Sequence, residues 1–439
     1  MIDLERAKTC KIKRANTDWW INEKAVVAQN GKTYIGYVTD VGEIHIKEFD
    51  AKCSKAESRD VCLCRLNADY SDEHNAPSVC VLHDGRILVT YTGHGTHPVL
   101  RYRRTEKPFD IYSFGEEKEL CYQGGVTYVQ LFENTKRNEI WLFSRVDKVN
   151  WEFRYSADQG DTWSSPRRFL HSEDGGLFYF NVRKQIVKTE SGPGEQWFFA
   201  LYGHPRISRD HNIRSGIFRD DGRLLRTDGT ETDFSLFGRD EKVIDLAGLD
   251  VVYASPEGTT VRLLDVAATL PLRVGFAPFV LDREYAPNPD SAAYYSATFR
   301  DGKWEISEKI CSAGEFLAKD TKDGSQTYLG GMAYYYGVGE EGLHRNSNPF
   351  GVTTNRVYIA RFDGKDRVLE SYLSRDFGKK YVLEEEICRI PGYKEVKIWR
   401  PVVPVFAQDN MPVYWHEGTY AAHSGGWHSD VVMRVEYDD

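Results

Sequence analysis

The residues of this chain best suited to proton chemistry are two histidines at either end of a short hairpin. Ser71-Asp72-Glu73-His74-Asn75-Ala76-Pro77-Ser78 is a polar corner, followed by the apolar run Val79-Cys80-Val81-Leu82. After His83-Asp84-Gly85-Arg86 comes a second apolar run, Ile87-Leu88-Val89-Thr90-Tyr91, that leads into Thr92-Gly93-His94. Asp-Gly between two apolar runs predicts a hairpin, because Gly enters positive φ at no steric cost. The chain then returns to its starting edge, and His74 and His94 should meet there. Two imidazoles at one sheet edge are a candidate acid/base pair near neutral pH. Asp72 and Asn75 are candidates to orient the His74 ring; the bland alternative is a corner histidine that braces a turn.

A second dense patch runs from His204-Pro205-Arg206 to His211-Asn212-Ile213-Arg214. It offers two histidines, an amide and two guanidinium forks suited to a carboxylate. It follows an aromatic strand that ends at Tyr202. Tyr202, Arg206, His211 and Arg214 are therefore candidate substrate contacts, while Arg209 and Asp210 read as solvated loop charges. Tyr414, His416, His423 and His428 crowd the end of the chain. Their spacing fits no zinc template, so they read as rim decoration and no metal ligand is assigned.

The elements that must position these groups are strands. Helical periodicity is nearly absent, and a unit of strand, Gly-containing turn and further strands recurs about every sixty residues. The seven units hold 25–49, 78–104, 126–156, 196–219, 251–304, 357–373 and 399–435. Seven such units predict an all-β fold, a seven-bladed β-propeller of four-stranded antiparallel blades without long exposed edges. No linker or low-complexity segment divides the chain, so residues 1–439 are expected to form a single catalytic domain. Ser156-Ala157-Asp158-Gln159-Gly160-Asp161-Thr162-Trp163 fits S-x-D-x-G-x-T-W, the Asp-box, and a weaker copy stands at Ser374-Arg375-Asp376-Phe377-Gly378-Lys379-Lys380-Tyr381. Its Asp caps backbone N–H groups and its Gly takes the strained position, so it marks architecture and not chemistry.

The 439 residues carry 57 Lys+Arg against 66 Asp+Glu, a net charge of −9. That field gives no support to a nucleic-acid or anionic-membrane partner, and an acidic ligand would need a local arginine cluster. Aromatic content of 13% suits both β-structure and sugar stacking. The eight cysteines form no CxxC pair or zinc spacing. No cationic, apolar leader opens the chain and no apolar run approaches bilayer length. A soluble, cytoplasmic monomer is expected, or a periplasmic or secreted one if a leader has been removed.

Asp72 to Pro77, Thr92-Gly93-His94, Gly125-Val126-Thr127-Tyr128, Trp141-Leu142-Phe143, Arg154-Tyr155-Ser156 with its Asp-box, and His204-Pro205-Arg206 appear in an order that resembles the BNR-repeat propellers. Tyr328-Leu329-Gly330-Gly331 and Trp399-Arg400-Pro401 extend the likeness. That group includes seven-bladed polysaccharide lyases (ulvan lyases and rhamnose–glucuronate lyases) and related rhamnosidases. The resemblance implies β-elimination at a uronic acid in an acidic oligo- or polysaccharide. His74 and His94 would carry acid/base duty, Arg154 would neutralise the carboxylate, and Arg400 would contact substrate. No cofactor is required, and a structural divalent cation is compatible with the likeness but has no assigned ligands. The tyrosine that some of these lyases use as proton shuttle has no clear counterpart; Tyr128, Tyr155 and Tyr202 are the substitutes. The alternatives are a rhamnosidase- or sialidase-like hydrolase, for which no Tyr/Glu pair stands out, and a non-catalytic glycan-binding propeller. The stretches 282–289 and 337–351 read as loop insertions that would wall off one end of a site and favour exo action.

Overall fold

The computed structural model describes residues 7–17, 25–28, 30–50, 59–66, 71–172, 176–189, 192–205, 208, 210–267, 270–281, 288–318, 327–335, 355–404, 413–422 and 424–436. Within them the chain forms seven antiparallel sheets arranged as the blades of a propeller. Each blade is laid down from its innermost strand outwards. The innermost strands are Ala15–Asn16, Ser78–Val81, Val126–Asn134, Phe178–Thr189, Thr259–Ala267, Met332–Tyr334 and Lys397–Val402, which number blades 1 to 7.

Ring closure uses a strand that the repeat pattern does not reveal. Ala7–Ile12 pairs along Gly426–Glu436 and becomes the outermost strand of blade 7. The first and last sequence segments thus share one sheet, which removes the free edge that an open stack of blades would present. The predicted fifth unit also starts late in the structure. Asp250–Tyr253 pairs with Ile213–Arg219 of blade 4, and blade 5 begins at Thr259.

Alternation along the strands buries aromatic side chains between blades. Trp141 of blade 3 stacks on Trp197 of blade 4 with ring centroids 4.2 Å apart. Trp141, Trp151, Trp197, Trp399, Trp415 and Trp427 are all fully buried, so much of the tryptophan content is packing and not sugar-binding surface. The predicted hairpin forms as Ser78–Val81 against Ile87–Tyr91, with Gly85 at φ 83°.

Both Asp-boxes lie between the third and fourth strands of their blades, 3 and 6. In the first, Asp158 Oδ1 accepts from Thr162 N (2.8 Å), Asp158 Oδ2 from Thr162 Oγ1 (2.6 Å), and Ser156 Oγ from Gly160 N (2.7 Å). The weaker copy repeats the bonds from Gly378 N to Ser374 Oγ and from Lys380 N to Asp376 Oδ1. The third strand runs away from the end where the innermost strand starts. The boxes therefore mark the face opposite the histidines.

Candidate active site

The polar corner folds as a single 3-10 turn, Glu73–Asn75, capped by Asp72. Asp72 Oδ1 accepts from the backbone N–H of His74 (2.9 Å) and from its ring Nδ1 (2.6 Å). Its other oxygen accepts from Nδ1 of His94, 3.0 Å away. One carboxylate thus holds two imidazoles, which stack at 4.1 Å with planes 5° apart. Burial alone would push the Asp72 carboxyl up, but His74 and His94 together hold it well below the usual carboxylate range. An ionised carboxylate only accepts, so each Nδ1 carries a proton, and in a neutral imidazole so held Nε2 is the acceptor.

Each Nε2 faces a tyrosine hydroxyl. His94 Nε2 lies 3.1 Å from Tyr128 Oη, and His74 Nε2 lies 3.4 Å from Tyr328 Oη. Burial drives both hydroxyls well above the ordinary tyrosine value, with Arg145 opposing at Tyr128, and with Arg262 and Arg400 opposing at Tyr328. Both are therefore proton donors at neutral pH. The result is a continuous chain from Tyr328 through His74, Asp72 and His94 to Tyr128, drawn from blades 6, 2 and 3. Asp72, His74 and His94 are also the one group among the described residues with donor atoms close enough for a metal ion, within 4.8 Å. Here those donors are engaged with one another.

Three guanidinium groups surround this chain. Arg145 lies 4.3 Å from the Tyr128 ring centroid and 5.5 Å from that of Tyr179. Arg262, fully buried in the innermost strand of blade 5, donates to Thr327 Oγ1 (2.8 Å) and Tyr202 Oη (3.4 Å) and lies 5.0 Å from the Tyr328 ring. Arg400 lies 5.3 Å from the same ring and 3.5 Å from Glu73. Glu73, itself buried, accepts from Tyr420 Oη at 2.5 Å and from Asn16 Nδ2 at 3.2 Å. Among the described residues, neither Arg145 nor Arg262 has a carboxylate within ion-pair distance. Buried cations without a counter-charge are costly, so such a pair points to an anionic ligand.

Backbone irregularity aims these groups. The pairing register slips between Thr127 and Gln130 and between Trp399 and Val402, and inside those bulges Tyr128 and Arg400 take φ 54° and 46°. A third bulge, between Leu263 and Asp265, follows Arg262. Left-handed conformations are costly for side chains of this size and cluster where function demands them. Gly331, at φ 107°, allows the approach at Arg400: a Cβ there would sit 3.1 Å from the Arg400 Cα.

Of the residues singled out in the sequence, Asp72, His74, His94, Tyr128, Tyr202 and Arg400 come together at this centre, and Asn75 is buried in the same turn. Arg154 does not. Its guanidinium lies over the Tyr122 ring and donates to the carbonyls of Ser164 (3.3 Å) and Cys121 (3.2 Å), so it ties blade 3 to the outer strand of blade 2. Arg154 stands on the third strand of its blade, two strands out from the innermost. Arg214 is likewise engaged elsewhere, with Asp210 at 3.1 Å and the Leu246 carbonyl. His211 Nδ1 meets Thr260 Oγ1 at 3.1 Å, half-buried and with burial lowering its pKa, and has no contact with the imidazole pair. Arg206, His423 and most of both loop insertions lie outside the described residues.

His416, read as rim decoration, is fully buried instead. Its Nε2 accepts from Thr17 N and its Nδ1 donates to the Arg400 carbonyl, which braces the bulge from behind. Arg145, Tyr179, Arg262, Tyr328 and Glu73 were not singled out as site residues. One signal was available: Arg262 interrupts the apolar run Val261-Arg262-Leu263-Leu264, where a charge has no solvent face to occupy.

Residues 32–309 match the BNR repeat-containing family. Over 176 residues the chain is 24% identical to an ulvan lyase of Alteromonas sp. (strain LOR) and 23% identical to one of Pseudoalteromonas sp. (strain PLSV). Each match covers 34% of this chain and 34% of the relative, so the chain spans about a third of the length of these curated relatives. Among solved structures, a PL25 ulvan lyase bound to -[GlcA(1-4)Rha3S]- aligns over 98% of this chain and 96% of its own, with a TM-score of 0.66 at 13% identity. The polysaccharide lyase Uly1 aligns over 95% and 90%, with a TM-score of 0.54 at 11% identity. At such identities the structural likeness shows the shared propeller fold. The match over 32–309 shows more: this chain belongs to the BNR repeat-containing family.

Proposed function

We propose that this propeller is a polysaccharide lyase that cleaves the bond to a uronic acid, of the rhamnose–glucuronate type, by β-elimination. The observation that carries the reading is the pair of buried guanidiniums, Arg145 and Arg262, without carboxylate partners among the described residues and beside two imidazole–tyrosine couples. A uronate C5 proton becomes removable only when the neighbouring carboxylate is neutralised, and planar forks are the groups that do this. The similarity to ulvan lyases supports the same chemistry.

We assign the base to Nε2 of His94, whose side chain is 24% exposed against 1% for His74. The C5–H bond breaks, its proton goes to Nε2, and its electron pair forms the C4–C5 double bond as the C4–O4 bond breaks. Tyr128 Oη–H protonates the departing O4. Because Tyr128 Oη and His94 Nε2 are 3.1 Å apart, the imidazolium then returns its proton to the tyrosinate and the cycle closes. The usual glycosidase needs two working carboxyl groups. Of the carboxylates described at this centre, Asp72 is bound to both imidazoles and Glu73 is buried under Tyr420, Asn16 and Arg400.

The test is incubation with ulvan, gum arabic and other uronate glycans. Growth of near-ultraviolet absorbance from unsaturated uronate supports the proposal. New reducing ends without that absorbance refute it in favour of hydrolysis.

A further inference from the structure

Tyr328 stands just before the innermost strand of blade 6, and its place in the hydrogen-bonded chain mirrors that of Tyr128. Its surroundings differ. Two guanidiniums lie over the ring, Arg262 at 5.0 Å and Arg400 at 5.3 Å from its centroid. Cation–π contacts of this kind restrain the ring where it stands. Arg262 is tied in turn by Thr327 and Tyr202, and Arg400 by Glu73 and the bulge around it. The Tyr328 hydroxyl is thereby aimed at Nε2 of His74, an imidazole with a 1% exposed side chain.

His74 has two ring nitrogens, and both are accounted for. Nδ1–H is held by Asp72 Oδ1, and Nε2 faces the Tyr328 hydroxyl. Were His74 to turn or change tautomer, Asp72 Oδ1 would lose its ring donor. Of the two donors described at Oδ1, the backbone N–H of His74 alone would remain, and the hold of Oδ2 on His94 would loosen. We infer that Tyr328 is a positioning residue: its hydroxyl, placed beside Arg262 and Arg400, reinforces the Nδ1–H tautomer that Asp72 sets on His74 and holds the ring against turning, and so supports the orientation of His94 through Asp72. This rests on the reading of the imidazole pair as the proton-transfer group. Partners that orient metal-ligating histidines typically contribute about 10- to 100-fold to activity, and the same scale is expected for an oriented acid/base imidazole.

Tyr328→Phe removes the hydroxyl and keeps the clamped ring. In substrate-free wild-type protein, imidazole nitrogen NMR should show His74 with a protonated Nδ1 and an unprotonated, hydrogen-bonded Nε2; His74→Asn identifies the signals. In Tyr328→Phe the His74 Nε2 signal should move away from its hydrogen-bonded position, and kcat on a uronate glycan should fall about tenfold or more with KM little changed. An unchanged His74 spectrum, or an unchanged kcat beside an active wild type, overturns the inference. So does a wild-type spectrum with the proton on Nε2, which decides the matter even if Tyr328→Phe does not fold. The spectra need no turnover. A wild type that cleaves no uronate glycan, with a His74 spectrum altered in Tyr328→Phe, would sink the lyase reading and leave the hydrogen-bond role standing.

Discussion

His74 and His94 stack face to face, 4.1 Å apart, with their Nδ1 atoms on the two oxygens of one carboxylate. The hairpin between them spans only two short strands, and its register decides that these rings meet. The arrangement makes Asp72 the joint between the two imidazole–tyrosine couples.

Asp72→Asn tests that joint. Asn is as good a cap for the 3-10 turn as Asp, so the thermal midpoint should move little. Asn cannot accept from two imidazoles with a full charge, and general acid–base catalysis contributes about 10²- to 10⁴-fold, so kcat should drop by ~10² or more. Activity within about threefold of wild type would contradict the assignment.

Arg145 should show activity and stability pulling apart. Replacing a buried charge by an apolar side chain of similar volume is often neutral or stabilising. Arg145→Met should therefore melt at or above the wild-type temperature. The same variant should lose ~10² to 10³ in kcat/KM, the usual cost of removing one group that stabilises developing charge. A variant that unfolds at lower temperature yet keeps its rate would show Arg145 to be structural.

Arg154 should behave in the opposite way. Arg154→Ala loses two bonds to carbonyls and the contact with Tyr122, a cost of about 1–3 kcal/mol in denaturant unfolding. Turnover at saturating substrate should stay within about twofold, since an exposed or bracing arginine contributes little to a distant reaction centre. Loss of turnover with full stability would restore Arg154 to the site.

The Asp-box gives a pH prediction with a definite sign. Burial would raise the Asp158 carboxyl, but bonds from Thr162 and Ser156 lower it from the ordinary 3.8 to about 2. A depressed carboxyl contributes stability above its unfolded value and loses it as pH falls through the folded one. The stability gap between wild type and Asp158→Asn should thus be full at neutral pH and should close between about pH 4 and pH 2. A gap that does not change with pH would mean that the carboxylate charge has no part in the turn.

The sequence made the architecture legible because turns and alternation are local. Asp84-Gly85 and the two Asp-boxes state their own geometry, and the histidine pairing follows from hairpin length. The closing strand Ala7–Ile12 was hidden because its partner, Gly426–Glu436, lies at the other end of the chain. The arginines were hidden for a different reason. Arg145 and Arg400 reach the centre through strand pairing and bulges, and no residue type announces a bulge. Arg154 has a neighbourhood that fits the family pattern, but it stands on the third strand of its blade, where its guanidinium meets Tyr122, Ser164 and Cys121.

Heavy-oxygen water separates elimination from hydrolysis at the bond itself. A glucuronate–rhamnose oligosaccharide cleaved in such water should give fragments without the label at the new ends, one of them bearing a C4–C5 double bond, and His94→Ala should give none. Label incorporated at the cleaved linkage, with no double bond formed, would contradict the account.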